Sequence, residues 1–471
     1  MNKIYTKHSK YNIDIFKKHF NLISSTSQTL HFFDTFNSNL LKNNLTLYYS
    51  QNSLVIQPID NNQYSIIQPY KYFDVYKPNM LKQATFWHKI NNITQNRALL
   101  KIASAYFNLH CFKSNDFLIN IDVYEFFEQK FIIIDIHSQS KSKKIKEIEQ
   151  SFFENFFSKS KLSLFENIFL ILKINQTDYT TKLNLQDVIN EKHFGKISKT
   201  ILLQLTSFIL INKNGIEQDL DTDFLHDFRV SIRRILVFLK NTKQFLGENS
   251  LEFINNFEII LKNTNKLRDY DVFIQNIDKT YKCELNEELT TYIQSKREQE
   301  LSNVLNFLDS NLFVTFFEKW VQWIEKIKDN EFNIELVANE VMLEIFKKLS
   351  KLSEFIKPNI INIHAHKLRI YVKHLRYSLD FFGYFINKNH NECNKFTKKL
   401  RLYQNKLGFV TDLNFHISFV EQIIKEQQNF DEKEIQNYFI QQKKQIENLK
   451  KDIKKIYAQI LKKFIKYYFY E

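Results

Sequence analysis

Glycine, proline and cysteine are scarce in this chain, whose 471 residues include 5 Gly, 4 Pro and 3 Cys. So few glycines exclude the glycine-rich phosphate loops of nucleotide-binding α/β proteins and favour long uninterrupted helices. The cysteines, at positions 111, 283 and 393, form no CxxC pair, which indicates neither a disulfide framework nor a zinc site. We therefore expect a reducing, cytoplasmic location.

Long apolar runs are also lacking. Residues 131–134 and 168–172 are among the longest and are far shorter than the ~20 residues that a membrane helix needs. Residues 1–20 alternate charged and apolar side chains and contain no apolar segment of signal-peptide length. These patterns predict a soluble protein with no export signal and no membrane partner.

Arginine is rare for so basic a chain, with 9 Arg beside 57 Lys. The 66 basic and 52 acidic residues give a formal charge of +14, which favours anionic partners. The chain is 44% hydrophobic and 15% aromatic, which is enough for packed cores and excludes global disorder. At roughly 150 residues per domain, the length suggests two or three domains.

Two architectures follow each other along the chain. Residues 45–76 and 117–137 consist of short Leu-, Tyr-, Val- and Ile-rich segments separated by Asn, Asp, Gln and Ser, a pattern typical of strands and turns. After residue 194, apolar residues recur at three- and four-residue intervals, which predicts helices. The predicted fold class is α+β, with a β-rich domain at 1–190 and an all-α domain at 195–471.

The helical half repeats itself. The segment LHDFRVSIR at 225–233 reappears as AHKLRIYVK at 365–373, 140 residues later. Downstream, KLRDY at 266–270 corresponds to FVTDL at 409–413. We predict a duplicated bundle with repeats at about 195–330 and 335–471, whose two halves face each other.

Basic residues share one helix face in each repeat. His226, Arg229 and Arg233 have i, i+3 and i+7 spacing, and the second repeat matches them with His366, Arg369, Lys373 and Arg376. Seven of the nine arginines lie in the repeated segments. A guanidinium group can bind two phosphate oxygens and stays charged when partly buried. This face therefore predicts an anion-binding site, with a solvated surface as the alternative.

The acidic residues and histidines within the motifs are expected to have structural or hydrogen-bonding roles. The arginines beside His226 and His366 disfavour the cationic imidazole, so each histidine is expected to be a neutral hydrogen-bond donor. Asp269, Asp271 and Asp412 lack a second close set of carboxylates for metal or acid chemistry. We expect them to orient arginines or to cap helices.

These segments resemble the CHAD family, the conserved-histidine α-helical domains. The matching motifs are HDFRVSIRR at 226–234, RDYDV at 268–272, HKLRIYVKHLRY at 366–377 and QNKLG at 404–408 followed by Asp412. The resemblance implies two four-helix units related by pseudo-twofold symmetry, which enclose a basic channel for inorganic polyphosphate without catalysis or a cofactor. The polyphosphate-binding residues that we infer are His226, Arg229, Arg233, Arg234, Lys240, Arg268, His366, Arg369, Lys373, Arg376, Lys398, Arg401 and Lys406.

The first half resembles a CYTH domain, the triphosphate-tunnel β-barrel. HFFDT at 31–35, LLKNNLTLYY at 40–49 and the segment at 117–137 carry the likeness. Catalysis in that family needs Glu-x-Glu-x-Lys near the N-terminus, arginines on one strand and a later Glu-x-Glu, because carboxylates hold the metal while bases hold the phosphates. Here those places read KIYTK at 3–7, Thr46 and Tyr48, and Asp135 and His137. We expect a degenerate barrel with no metal site and no enzymatic activity.

The leading hypothesis is a non-enzymatic polyphosphate-binding protein in the cytoplasm, with polyphosphate granules as one candidate location. A residual triphosphatase in the β-rich domain is one alternative, and a nucleic-acid-binding helical protein is the other. Nucleic acid is disfavoured because the bases lie on compact repeated helix faces, whereas single-strand binders need aromatic platforms along an open groove. The oligomeric state is left open.

Overall fold

The computed structural model describes residues 2–8, 13–60, 65–82, 84–114, 119–126, 128–138, 152–176, 182–247, 250–276, 287–328, 332–351, 361–386, 393–408, 418–419, 456, 458–460 and 462–463. The chain divides into two compact units, Met1–Thr180 and Thr181–Glu471. A sheet dominates the first unit and helices form the second, so the predicted α+β two-domain fold class is confirmed. The predicted limits at residues 190 and 195 stay predictions.

The first unit is built on one antiparallel sheet of ten strands. The strands are β1 (Asn2–His8), β2 (Asn21–Thr35), β3 (Leu45–Ser50), β4 (Ser53–Pro58), β5 (Ile66–Pro69), β6 (Val75–Tyr76), β7 (Leu99–Lys113), β8 (Ile119–Phe126), β9 (Phe131–Ser138) and β10 (Ser158–Ser160). Their order is β10-β1-β9-β8-β7-β2-β3-β4-β5, and β6 pairs with β7.

The two ends of this sheet do not pair with each other among the described residues. The sheet is therefore open, where the resemblance to a tunnel domain implies a closed barrel. The edge strands explain the difference, because β10 has three residues and β5 ends at Pro69, which has no N–H to donate to a neighbouring strand.

Apolar side chains cover both faces of the sheet. In β9, Ile132 and Ile134 pack with Tyr5 of β1, whereas Ile133 points to the other face and packs with Phe165. The short helices of this unit are α1 (Asp14–His19), α2 (Asn39–Lys42), α3 (Pro78–Leu81), α4 (Trp87–Thr94), α5 (Glu154–Phe156) and α6 (Leu164–Ile171). Helix α6 supplies Phe165 and thus covers one face of the sheet.

The aspartate of the HFFDT motif organises the turn between β2 and α2. Asp34 is fully buried, and its Oδ1 accepts hydrogen bonds from the backbone N–H of Thr35 at 2.6 Å and of Leu40 at 2.9 Å. Its Oδ2 accepts one from the N–H of Leu41 at 2.9 Å. This carboxylate therefore satisfies three donors at the start of a short helix.

The second unit contains nine described helices that are long enough to name. They are α7 (Phe194–Glu217), α8 (Thr222–Leu246), α9 (Ser250–Asn263), α10 (Asn265–Asn276), α11 (Glu287–Leu308), α12 (Asn311–Glu325), α13 (Ile334–Lys351), α14 (Ile361–Ile386) and α15 (residues 393–408). Thr264 separates α9 from α10. Trp320 of α12 is fully buried and donates to Thr206 Oγ1 of α7 at 2.9 Å, which fixes one wall of the core.

Equivalent helices of the two repeats face each other. Phe194 N donates to Phe332 O at 3.0 Å, and Ile334 N donates to Lys192 O at 2.9 Å, so the segments that precede α7 and α13 exchange hydrogen bonds. Residues 194 and 334 are 140 apart, the offset of the sequence repeat. Such reciprocal pairing of equivalent positions is what a pseudo-twofold relation between the repeats predicts.

Helices α8 and α14, which carry the two copies of the motif, also pack together. The Phe238 ring lies 5.3 Å from the Phe381 ring and 5.8 Å from the Phe382 ring, measured between centroids. Asn241 Nδ2 donates to Ser378 Oγ at 3.1 Å. The predicted contact between the two halves is therefore made by the motif helices themselves.

Helix α7 is long and apolar enough to cross a membrane by length and composition alone. In the structure it packs within the helical unit, with Ile197, Ile201, Leu205 and Ile209 all fully buried. These residues recur every four positions, as expected for the core face of a helix. We read α7 as a core helix.

The role of Asp34 predicts the cost of its removal. Asp34→Ala should lower the free energy of unfolding by about 2–3 kcal/mol, because three buried N–H groups lose their acceptor. Urea denaturation followed by circular dichroism measures the loss. Asp60→Ala, at an exposed aspartate, is the control and should change stability by less than about 0.5 kcal/mol. Equal stability of the two variants would contradict the assigned role.

Candidate anion-binding recess

Arg229 is a buried anchor within the first repeat. Only 3% of its surface is exposed, and its Nη1 donates to Leu261 O at 2.7 Å and to Thr264 Oγ1. Its Nη2 donates to Asn265 Oδ1. Burial, with Arg233 adding to it, lowers the pKa of Arg229 to about 9, which leaves the guanidinium charged at neutral pH. This arginine holds the junction of α9 and α10.

Arg369 repeats this arrangement in the second half. It is 140 positions beyond Arg229, and its Nη1 lies 3.5 Å from the carbonyl oxygen of Gly408 at the end of α15. A Cβ atom at Gly408 would lie 3.2 Å from Arg369 Nη2 and 3.4 Å from its Cζ. Glycine therefore allows the guanidinium group to lie close against the backbone. The two arginines are structural counterparts at the ends of equivalent helices.

His226 lies on α8 beside other basic side chains. Its side chain is exposed, yet burial is the largest cause that lowers its pKa, to about 3. The next causes are the positive charges of Arg268, Arg233, Lys373 and Arg229. At neutral pH the imidazole is uncharged, as expected from the sequence.

Arg233 is the central cation of this group. It is half-buried, and its pKa is lowered by burial and by Arg268 and Arg369, whereas Tyr377 and Asp269 oppose the shift. No hydrogen bond or ion pair joins the Arg233 guanidinium to another residue in the described part of the chain. Its donors are therefore available to an anion.

We call this set of side chains the basic recess. Helix α8 supplies two of them, α10 supplies one and α14 supplies two. Its members are His226, Arg233, Arg268, Arg369 and Lys373. Because α8 and α10 belong to the first repeat and α14 to the second, the recess exists only where the two repeats meet.

Other predicted site residues lie outside the recess. Arg234 is buried with its guanidinium carbon 5.8 Å from the centre of the Phe381 ring, and Lys240 forms a surface ion pair with Glu258. Arg376 stacks on the ring of the adjacent Tyr377, at 4.6 Å. Three more bases, Lys398, Arg401 and Lys406, are exposed on α15. The side chain of His366 and the whole of Asp412 are outside the described residues.

A second group of charges surrounds Asp380 of α14. Burial raises the pKa of this carboxyl group, and Arg234, Arg376 and Arg401 act in the opposite direction. Four predicted site residues are thus set apart from the basic recess by nearby carboxylates. Asp380 lies among three of them, the arginines at 234, 376 and 401, and Glu258 pairs with Lys240. Helical periodicity could not show the carboxylates near Arg234, Arg401 and Lys240, because they come from other helices. Asp380 lies one turn beyond Arg376 on α14, so that neighbour was open to sequence reasoning.

A buried ion-pair network was not predicted from the sequence. Arg297 of α11 donates from Nε to Asp271 Oδ1 at 2.8 Å and from Nη2 to Asp219 Oδ1 at 2.8 Å. Asp271 is 1% exposed, and burial raises its pKa to about 6. The expected role of Asp271, orienting an arginine, is confirmed, but Arg297 lies outside the repeated motifs and carried no sequence signal.

In the first unit, the positions that the tunnel resemblance links to phosphate are covered. Thr46 is 2% exposed, and the ring of Tyr48 stacks on Phe165 of α6 at 5.4 Å. Burial raises the pKa of Tyr48 to about 12. An apolar helix therefore occupies the sheet face where that resemblance expects arginines.

The later pair of that resemblance forms a small polar cluster. His137 Nε2 lies 3.3 Å from Asp122 Oδ2 and 3.5 Å from Asp135 Oδ2. Burial raises the pKa of Asp135 to about 6, whereas the hydrogen bond with Asp122 raises that of His137. Among the described residues no group of three His, Cys, Asp or Glu has the arrangement of a metal site.

Comparison with known proteins finds a family match within the helical unit. Residues 200–421 match the family model described as the CHAD domain. The matched family is the one that the motifs at His226 and His366 resemble. No curated protein matches the chain.

Two solved structures match more than half of this chain. The CHAD domain from the plant Ricinus communis has 17% sequence identity and a TM-score of 0.51, and the match covers 61% of this chain and 97% of that chain. This likeness shows a shared fold. PptA from Streptomyces chartreusis matches at 11% identity and a TM-score of 0.44, over 57% of this chain and all of that chain.

A third structure covers a smaller part of the chain. HpAC1 from Hippeastrum, described as a candidate adenylyl cyclase with a dominant triphosphatase activity, matches at 12% identity with a TM-score of 0.26. The match covers 35% of this chain and 94% of that chain. We base no assignment on it or on PptA, since both TM-scores are below 0.5.

The Arg297 network predicts a large stability effect. Arg297→Met should lower the free energy of unfolding by about 3–5 kcal/mol, because it leaves the Asp271 carboxylate buried without its partner. Adding Asp271→Asn should restore part of that loss by removing the buried charge. Thermal and urea unfolding of both variants measure the effect. A single variant as stable as the unmodified protein would contradict the assigned network.

Proposed function

We propose that the CHAD domain of this protein binds inorganic polyphosphate in the basic recess, without catalysis. The observation that carries the proposal is Arg233, a half-buried guanidinium group that has no protein acceptor among the described residues and is surrounded by further cations. Like charges held together in a partly desolvated site repel one another. A bound polyanion relieves that repulsion and supplies the missing acceptors.

Polyphosphate fits the recess better than nucleic acid does. Three helices supply the cations of the recess. One aromatic residue, Tyr377, interacts electrostatically with Arg233. Proteins hold single-stranded nucleic acid with successive aromatic side chains along an open groove, in addition to basic side chains. A chain made only of phosphate groups needs the cations and none of the aromatic side chains.

The non-enzymatic part of the proposal is supported by the first unit. In place of arginines at positions 46 and 48, the sheet carries Thr46 and Tyr48 beneath α6, whose Phe165 and Phe169 pack on the same face. Phosphate cannot approach these positions while α6 is docked. We therefore propose that this unit serves as a scaffold or interaction module.

Two substitutions test the recess directly. Arg233→Ala combined with Lys373→Ala should weaken polyphosphate binding by about a hundredfold, because two charge-assisted contacts are lost. The slope of log affinity against log salt should fall by about two, one for each removed phosphate contact. Fluorescence or calorimetric titration of the full chain across a salt series measures both quantities.

A matched control variant is available on the same helix. Lys240→Ala removes one cation from α8, but that lysine is exposed and paired with Glu258, so affinity should change by no more than about twofold. Equal weakening by the recess variant and by Lys240→Ala would indicate a general charge effect and contradict the site. Displacement of polyphosphate by equimolar single-stranded nucleic acid would favour the alternative function.

The absence of triphosphatase activity is tested separately. The full chain with tripolyphosphate and Mg²⁺ should release phosphate no faster than the protein-free mixture, because α6 covers the expected phosphate positions. A colorimetric phosphate assay measures the rate. Metal-dependent release that is lost in Asp135→Asn would contradict this part of the proposal.

A further inference from the structure

Asp269 places a carboxylate at the edge of the basic recess. It lies on α10, one turn beyond Asn265, whose Oδ1 accepts a hydrogen bond from Arg229 of α8. Residues four positions apart share a helix face, so Asp269 faces α8 as Asn265 does. Its side chain is half-buried.

Three arginines act on Asp269 through their charge. Arg229 and Arg233 reach it from α8, and Arg268 precedes it on α10. In the described part of the chain no basic nitrogen lies within 4 Å of its carboxylate, so it forms no tight ion pair. The same arginines act on His226, together with Lys373 of α14, and Arg369 of α14 acts on Arg233.

The other neighbours of α10 do not explain this carboxylate. Arg297 of α11 is bound to Asp271 and Asp219, and among the described residues no charge of α9 or α11 contributes to the titration of Asp269. Asp271, two residues later, has a structural partner and Asp269 has none. A charged group without a structural partner, facing a site for anions, points to a role in that site.

We infer that Asp269 is an internal counter-ion of the recess, which competes with a bound phosphate group for the charges of Arg229, Arg233 and Arg268 and so limits affinity. The inference rests on the proposed polyphosphate function. In the free protein the carboxylate offsets part of the positive charge. In the complex the same carboxylate repels the ligand, so its removal or protonation strengthens binding.

This arrangement couples binding to pH. Burial outweighs the three arginines and raises the pKa of Asp269 to about 6 in the free protein. A bound polyanion raises that pKa further, because negative charge nearby favours the neutral carboxyl group. Binding therefore takes up a proton, and affinity should increase as the pH falls from about 8 to about 5.

The test is Asp269→Asn in the full chain, titrated with long-chain inorganic polyphosphate. At about pH 8 the variant should bind about tenfold more tightly than the unmodified protein, as expected for removal of one charge at short range in a partly desolvated site. Its affinity should change less between about pH 8 and about pH 5, since the titrating group is gone. Terminal groups of the ligand titrate equally with both proteins, so the difference between the two pH profiles reports Asp269.

Glu318→Gln is the matched control, because it removes one negative charge from an exposed position on α12, which contributes nothing to the recess. It should leave affinity and pH profile unchanged. If Asp269→Asn does not fold, calorimetry of the unmodified protein in two buffers of different ionisation enthalpy decides, and it should show proton uptake near pH 6.

The outcomes separate the two proposals. Failure of the unmodified protein to bind polyphosphate overturns the proposed function and this inference together. Binding by the unmodified protein, with weaker or equal binding by folded Asp269→Asn and the same pH profile, overturns only the role of Asp269. Equal strengthening by Glu318→Gln would reduce the effect to net charge and also overturn it.

Discussion

The helical unit has to hold α8 and α14 together against the repulsion between the positive charges that these two helices carry. The two motif helices bring a histidine, arginines and a lysine together at the meeting point of the repeats, and burial lowers the pKa of His226 and of Arg233. Contacts elsewhere hold the helices in place, through Phe238 with Phe381 and Phe382 and through Asn241 with Ser378. These contacts thus keep the two helices packed together although their positively charged side chains repel one another.

The arginines of the motif divide between two tasks. Arg229 and Arg369 donate to the ends of α9 and α15, and these contacts fix the helices that frame the recess. Arg233, one turn further along α8, makes no hydrogen bond or ion pair in the described part of the chain. A guanidinium group suits both tasks, because it remains charged when buried and presents several donors in a fixed plane.

Sequence reasoning found the repeat, the two architectures and the shared basic face, because each leaves a periodic signal of one helix turn or of 140 residues. It did not separate Arg233 from Lys240, since the surface partner of Lys240, Glu258, comes from α9. It missed Arg297, whose partners Asp219 and Asp271 lie far apart in sequence. In the first unit the motif strands were predicted, but an open sheet depends on its short edges, which composition does not show.

We propose that an anion binds where the two repeats meet. A crystal structure of the full chain grown with a short inorganic polyphosphate tests it most directly. Phosphate density is expected between α8, α10 and α14, within hydrogen-bond distance of Arg233 and Lys373. Density confined to the exposed bases of α15, such as Lys398 and Lys406, with none beside Arg233, would contradict it.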